Sequence, residues 1–93
     1  RICIQLEGRG LPLVDVREVD EYAAGHVPGA INIPMSQITE RLGELPEGAF
    51  DVICQSGGRS ARVSEYLEAQ GHDVTNIDGG TGGWISLGKP VEQ

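Results

Sequence analysis

Cysteine is scarce in this chain, positive charge is thin, and no apolar run is long. Cys3 and Cys54 are its two cysteines. No CxxC pair and no Cys/His cluster accompanies them, which argues against a structural zinc site. Two cysteines are also too few for a disulfide scaffold, and a Cys3–Cys54 bond has nothing behind it but the count. A reduced, cytoplasmic setting is the expectation. No apolar stretch approaches the ~20 residues of a membrane span. Seven basic residues stand against fourteen acidic ones, a formal charge of −7. An acidic domain without a basic stripe is not built for nucleic acid or for an anionic membrane surface. Against that background Arg59 and Arg62, both close to Cys54, stand out.

The 93 residues allow one small domain, residues 1–93. Such a chain buries roughly 60–65% of its extended surface, enough to fold alone with little margin. Residues 1–10 read as an N-terminal segment in which a strand over Ile2 to Leu6 is conceivable, and 11–91 as the core. The chain begins at Arg1 rather than at methionine, so a native start further upstream is expected. A monomer or weak dimer is expected.

Short apolar runs alternate with amphipathic ones. Leu11 to Val16 predicts a buried strand. Glu18 to Ala24 predicts a short helix, closed by Gly25 in a left-handed conformation. His26-Val27-Pro28-Gly29 is turn chemistry, and Ala30 to Ile33 a second strand stopped by Pro34. Ser36 is placed to cap a helix whose Ile38, Leu42 and Leu45 share one face. Ala49 to Cys54 is the third strand, Ser60 to Gln70 a helix ended by Gly71, and Asp73 to Ile77 a fourth strand. The glycine-rich stretch from Gly79 to Gly83 predicts a flexible loop, and Trp84 to Leu87 a last helical turn. The alternation is that of an α/β protein, with a mainly parallel sheet flanked by helices on both faces. Ligands of such sheets gather at the carboxyl ends of strands, where Cys54 falls.

The run Cys54-Gln55-Ser56-Gly57-Gly58-Arg59-Ser60 carries the chemistry. A strand ends in a cysteine, a tight glycine-bearing loop follows, and a helix begins. Gly57 and Gly58 let the backbone curl with positive φ, so that N–H groups converge on the sulfur. A helix N-terminus adds to the same field. Such surroundings stabilise a thiolate, a persulfide or a bound oxyanion. Ser56 and Ser60 offer hydroxyls to that group or cap the helix. Arg59 either meets the oxygens of an anionic donor or holds the loop by bonding its carbonyls. Arg62, further along the helix, is expected to be solvated.

Three motifs in order resemble the rhodanese family of sulfurtransferases, over about Leu13 to Val91. They are Asp15-Val16-Arg17-Glu18 with Glu21-Tyr22 and the run Gly25 to Pro34; the Cys54 to Ser60 loop; and Gly79-Gly80 followed by Gly83-Trp84. The resemblance implies a rhodanese-like three-layer sandwich and a persulfide-forming nucleophile at Cys54. It implies a cradle of Gln55, Ser56, Gly57, Gly58, Arg59 and Ser60, with no cofactor and no metal. Sulfur would pass from a small-molecule donor such as thiosulfate to cyanide, a thiol or a protein thiol acceptor. Asp15 and Arg17 are then expected to tie loops near the site, and His26 to bond backbone. His72 would sit as a cation at a helix end and Trp84 would fill the core. A resolving-thiol role for Cys3 stays open.

Two other readings compete. Phosphatases of the same fold, with which arsenate reductase chemistry is grouped here, place five residues between cysteine and arginine. Here Gln55 to Gly58 are four, a smaller cradle that suits a sulfur atom. The other is a non-enzymatic sulfur-carrier or regulatory module of a larger protein. Gln55 also stands where some related loops place a basic residue, so modest thiosulfate activity is expected.

Overall fold

The computed structural model describes residues 2–3, 12–55, 58–77, 80–86, 88 and 91–92. Its elements are β1 (Ile2–Cys3), β2 (Leu13–Asp15), α1 (Val19–Ala24), β3 (Ile31–Asn32), a 3-10 turn (Leu42–Glu44), β4 (Phe50–Ile53), α2 (Gly58–Ala69), β5 (Val74–Ile77) and α3 (Gly80–Ser86). The strands form one sheet in the order β1-β5-β4-β2-β3, and every pairing is parallel. No helix among the described residues is long and apolar enough to cross a membrane.

The strands are short and their residues alternate between two cores. Val14, Phe50, Val52 and Val74 share one apolar cluster with Val63 and Leu67 of α2 and with Ile38 and Leu45. Leu13, Ile53 and Ile77 point the other way, where Tyr22 of α1 and Trp84 of α3 cover them. A sheet covered on both faces buries every residue of a central strand. All four residues of β4 are accordingly buried, Asp51 included. The result is three layers, as expected. Trp84 is only partly buried where it packs.

Chain order around the sheet creates the site. From β2 the chain runs through α1 to β3, and from β4 through α2 to β5. The strands β2 and β4 are neighbours whose connections leave in opposite directions. The crevice beyond their carboxyl ends is a topological switch point, where open parallel sheets bind ligands. Arg17 follows β2 and Cys54 follows β4.

Several local expectations need correction. The segment after Pro34 is a series of turns and one 3-10 turn, not a helix. Ser36 caps nothing there; its hydroxyl donates to the Glu18 carboxylate at 2.9 Å. Ile38, Leu42 and Leu45 still pack on the core, because burial of that face needs their spacing and not a full helix. Gly25 closes α1 with φ 158 and ψ 130, outside the left-handed helical region, and its N–H donates to the Tyr22 carbonyl. Gly71 behaves as read. With φ 95 it lets its own N–H reach the Glu68 carbonyl and the His72 N–H reach the Leu67 carbonyl, which caps α2. The His72 ring then meets Phe50 edge-on, at 6.0 Å between centroids. The N-terminal strand pairs through Ile2 and Cys3; the rest of that predicted strand, Leu11 at the start of the next one and Leu87 at the end of the predicted last helical turn lie outside the described residues.

Candidate active site

Cys54 follows the last residue of β4, and the alternation of the strand turns it to the α2 face with Phe50 and Val52. Its side chain is 1% exposed, and its sulfur is a thiol outside any disulfide. α2 starts four positions later, at Gly58. Ser60, in the first turn of α2, brings its Oγ to 3.4 Å from the Cys54 sulfur. The same hydroxyl bonds the side-chain oxygen of Asn76 on β5. A hydroxyl carries one proton, so Ser60 donates to the sulfur or to Asn76 but not to both. The first turn of α2 also carries N–H groups without helical partners, on the side where the sulfur lies.

The backbone of the cysteine is held from the opposite side by α3. Thr81 N–H donates to the Cys54 carbonyl and Gly82 N–H to the Gln55 carbonyl, each at 2.8 Å. This approach is why the stretch is glycine-rich. A Cβ on Gly80, whose φ is 57, would collide with the Cys54 carbonyl oxygen. A Cβ on Gly82 would stand 2.9 Å from that of Gln55. The flexible loop expected from Gly79 to Gly83 is therefore the start of a helix from Gly80 onward; Gly79 lies outside the described residues. Gly80→Ala is expected to cost on the order of 2–3 kcal/mol, from the positive φ together with displacement of the Cys54 carbonyl. Urea denaturation reads this directly, and a cost below about 0.5 kcal/mol would mean that α3 yields freely.

Two arginines approach the loop, each already engaged. Arg17 gives Nε and Nη2 to the buried Asp15 carboxylate at 3.0–3.1 Å. Its Nη2 also reaches the Gly25 carbonyl at 2.7 Å, and its Nη1 the Gln55 Oε1 at 3.3 Å. Asn32 Nδ2 donates to the carbonyls of Asp15 and Arg17. The pair thus joins β2, the end of α1, β3 and the cysteine loop, the tying role expected of it. Arg59 does something else. It lies within α2, and its two terminal nitrogens grip the Glu21 carboxylate of α1 at 2.7 and 2.8 Å. Its engagement with Glu21 is a contact to another helix, beside the loop-closing or donor-binding role expected of it. Gly58 is helical, and the positive φ expected of it is absent.

The Glu21–Arg59 pair shapes the electrostatics. The Arg59 hydrogen bonds hold the Glu21 carboxyl down to about 2, helped by the Glu18 N–H that it accepts at 3.2 Å. Arg59 is pushed above its ordinary range, chiefly by Glu21 and further by the charges of Cys54 and Asp15. Both side chains are about one-third exposed, so screening limits the pair to about 1 kcal/mol. A depressed carboxyl pKa adds stability above the ordinary carboxylate value and loses it as pH falls through the folded value. Glu21→Gln is therefore expected to be about 1 kcal/mol less stable than the parent at pH 7. The gap should close between pH 4.5 and about 2. A gap independent of pH would assign the cost to altered packing of the neutral side chain and not to the charge.

The remaining candidates sit away from the sulfur or beyond what is described. Ser56 and Gly57 lie outside the described residues. Arg62 is exposed, and lines a groove with Met35, Ile38 and Tyr66. His26 bonds backbone, its Nδ1 2.8 Å from the Tyr22 carbonyl and its ring stacked on Tyr22. Among the described residues no cluster of His, Cys, Asp or Glu is arranged to hold a metal ion. The sequence reading missed Asn76, the pairing partner of Arg59, and the α3 contacts. Only the last had a signal, a glycine cluster that marks close backbone approach.

Comparison with known proteins agrees with this architecture. The family model of the rhodanese-like domain matches residues 4–87. A protein of Allochromatium vinosum named as a sulfurtransferase is 41% identical over 81 residues, 85% of this chain and 76% of its own length. The HTH-type transcriptional regulator Rv0324 of Mycobacterium tuberculosis is 38% identical over 96 residues, 94% of this chain but 40% of its own length. A crystal structure of a rhodanese-related protein from Thermoplasma volcanium superposes with a TM-score of 0.82 at 36% identity, covering 87% of this chain and 82% of that one. With the domain model spanning nearly its whole length and its sheet shared with a solved relative, this chain belongs to the rhodanese-like domain family.

Proposed function

We propose that this protein is a sulfurtransferase that carries sulfane sulfur as a persulfide on Cys54. The observation that carries the reading is the placement of Cys54 at the switch point, beside the first turn of α2, with the Ser60 hydroxyl 3.4 Å from its sulfur. The Cys54 thiolate attacks the outer sulfur of thiosulfate. The S–S bond to the sulfonate breaks, and sulfite leaves with the bonding electron pair. Cys54 then bears the additional sulfur. Cyanide or a thiol attacks that sulfur, and the thiolate is restored. No general base is needed when the nucleophile reacts as thiolate. Ser60 is suited to bond the charged sulfur, and Gln55 stands at the mouth of the crevice between Arg17 and Gly82. Gly58 and Arg59 serve by starting α2 close to the sulfur and anchoring it to α1.

A sulfur-carrier or regulatory module is the second reading. It is favoured by the regulator Rv0324, in which the similar region is less than half of the protein. Oxyanion hydrolysis is disfavoured, because Arg59 is committed to Glu21.

Intact mass after incubation with thiosulfate tests the proposal. A gain of about 32 Da, one sulfur, that cyanide removes with release of thiocyanate is the expected result. Loading without thiocyanate turnover would select the carrier. No gain from thiosulfate or from an organic persulfide would end the persulfide reading.

A further inference from the structure

Each guanidinium beside the Cys54 loop already holds a carboxylate. Arg17 is paired with Asp15 in the interior. Arg59, five residues beyond Cys54 and sensitive to its charge, is paired with Glu21 through both terminal nitrogens. Arg62 has no ion pair among the described residues, but it faces the groove of Met35, Ile38 and Tyr66. The residue directly after the cysteine is the neutral Gln55, whose Oε1 is occupied by Arg17. The chain as a whole carries −7. A dianion such as thiosulfate therefore meets paired cations at the loop and an acidic protein around it.

We infer that Glu21 is a specificity-determining residue, which holds Arg59 in a two-point ion pair and so tunes the site toward organic persulfides over dianionic thiosulfate. The inference rests on the Cys54 persulfide reading. Glu21 is well placed to win Arg59. Its carboxylate matches the planar guanidinium fork and is already oriented by the Glu18 N–H at 3.2 Å. Thiosulfate that recruits Arg59 must displace this carboxylate, or share one cation with it against like-charge repulsion. A simple alkyl persulfide carries at most one negative charge and no sulfonate oxygens, so it has no use for Arg59. The Cys54 thiolate attacks its outer sulfur, the S–S bond breaks, and the organic thiolate leaves with the electron pair. The transferred sulfur keeps its proton.

The test measures second-order rates of Cys54 loading by quenched intact mass, with thiosulfate and with 2-hydroxyethyl persulfide. The full chain is compared with Glu21→Gln, Glu21→Ala and the double variant Glu21→Gln/Arg59→Ala. Thiosulfate loading is expected to rise about tenfold at low salt in both single Glu21 variants, and the gain to shrink as salt screens Arg59. Persulfide loading in the two single variants should stay within about twofold of the parent, which also shows that they are folded. The double variant should lose the thiosulfate gain. Equal changes for both donors, no change for thiosulfate, or a gain that survives Arg59→Ala would overturn the inference. Failure of both donors to load the parent would instead remove the persulfide reading, and the inference with it.

Discussion

Cys54→Ser is expected to abolish sulfur loading while the fold survives. The mass gain after thiosulfate should vanish, and thiocyanate formation should fall by a factor on the order of 10³ or more, because a serine hydroxyl supplies almost no oxyanion at neutral pH. The structural cost is small. The new Oγ would sit in a site 1% exposed, within the apolar cluster that also holds Val52 and Val63, which alone would penalise a polar atom. The Ser60 hydroxyl, 3.4 Å from the present sulfur, offers it a partner. Stability should therefore change by about 1 kcal/mol. Loading that persists in this variant would move the nucleophile to Cys3, the other cysteine of the chain. Activity lost together with the unfolding transition would mean that Cys54 is a core residue whose removal collapses the sheet.

The strands and the place of Cys54 at the end of one were readable because their signals are local. Phe50 to Ile53 is a short apolar run, and a cysteine followed by glycines and an arginine marks a strand-to-helix turn. Gly71 announced the end of α2, since a positive φ there is a local need. What failed was set by packing at a distance. Ser36 looked like a cap, but Glu18 takes its hydroxyl across 18 residues. Gly80 and Gly82 looked like the pivots of a loop. They are glycines because the Cys54 and Gln55 carbonyls leave no room for a Cβ, a crowding visible only once β4 and α3 are side by side. The destination of Arg59 was hidden for the same reason, its partner lying 38 residues earlier on another helix.

Arg17→Ala is the substitution from which the largest loss of stability is expected, about 3–5 kcal/mol. Asp15 is fully buried at the end of β2, and Arg17, 3% exposed, supplies its charge partner through Nε and Nη2. Truncation leaves a carboxylate in the interior without that partner, and it also opens the bonds to the Gly25 carbonyl and to Gln55. For a chain of this size the total stability is about 5–14 kcal/mol, so the loss removes a large fraction of it. The pair itself need not be stabilising. Two charges taken out of water cost nearly what their attraction returns, and a well-packed apolar replacement of both often does as well. The double variant Asp15→Leu/Arg17→Met should therefore recover most of the stability that Arg17→Ala loses. It should not recover sulfur transfer, since Gln55 would no longer be held beside the switch point. Urea denaturation of the three proteins with parallel loading assays separates these effects. If the double variant is as unstable as Arg17→Ala, the ion pair is worth more than its desolvation. If it also transfers sulfur at the parent rate, Arg17 serves the fold alone and Gln55 needs no anchor.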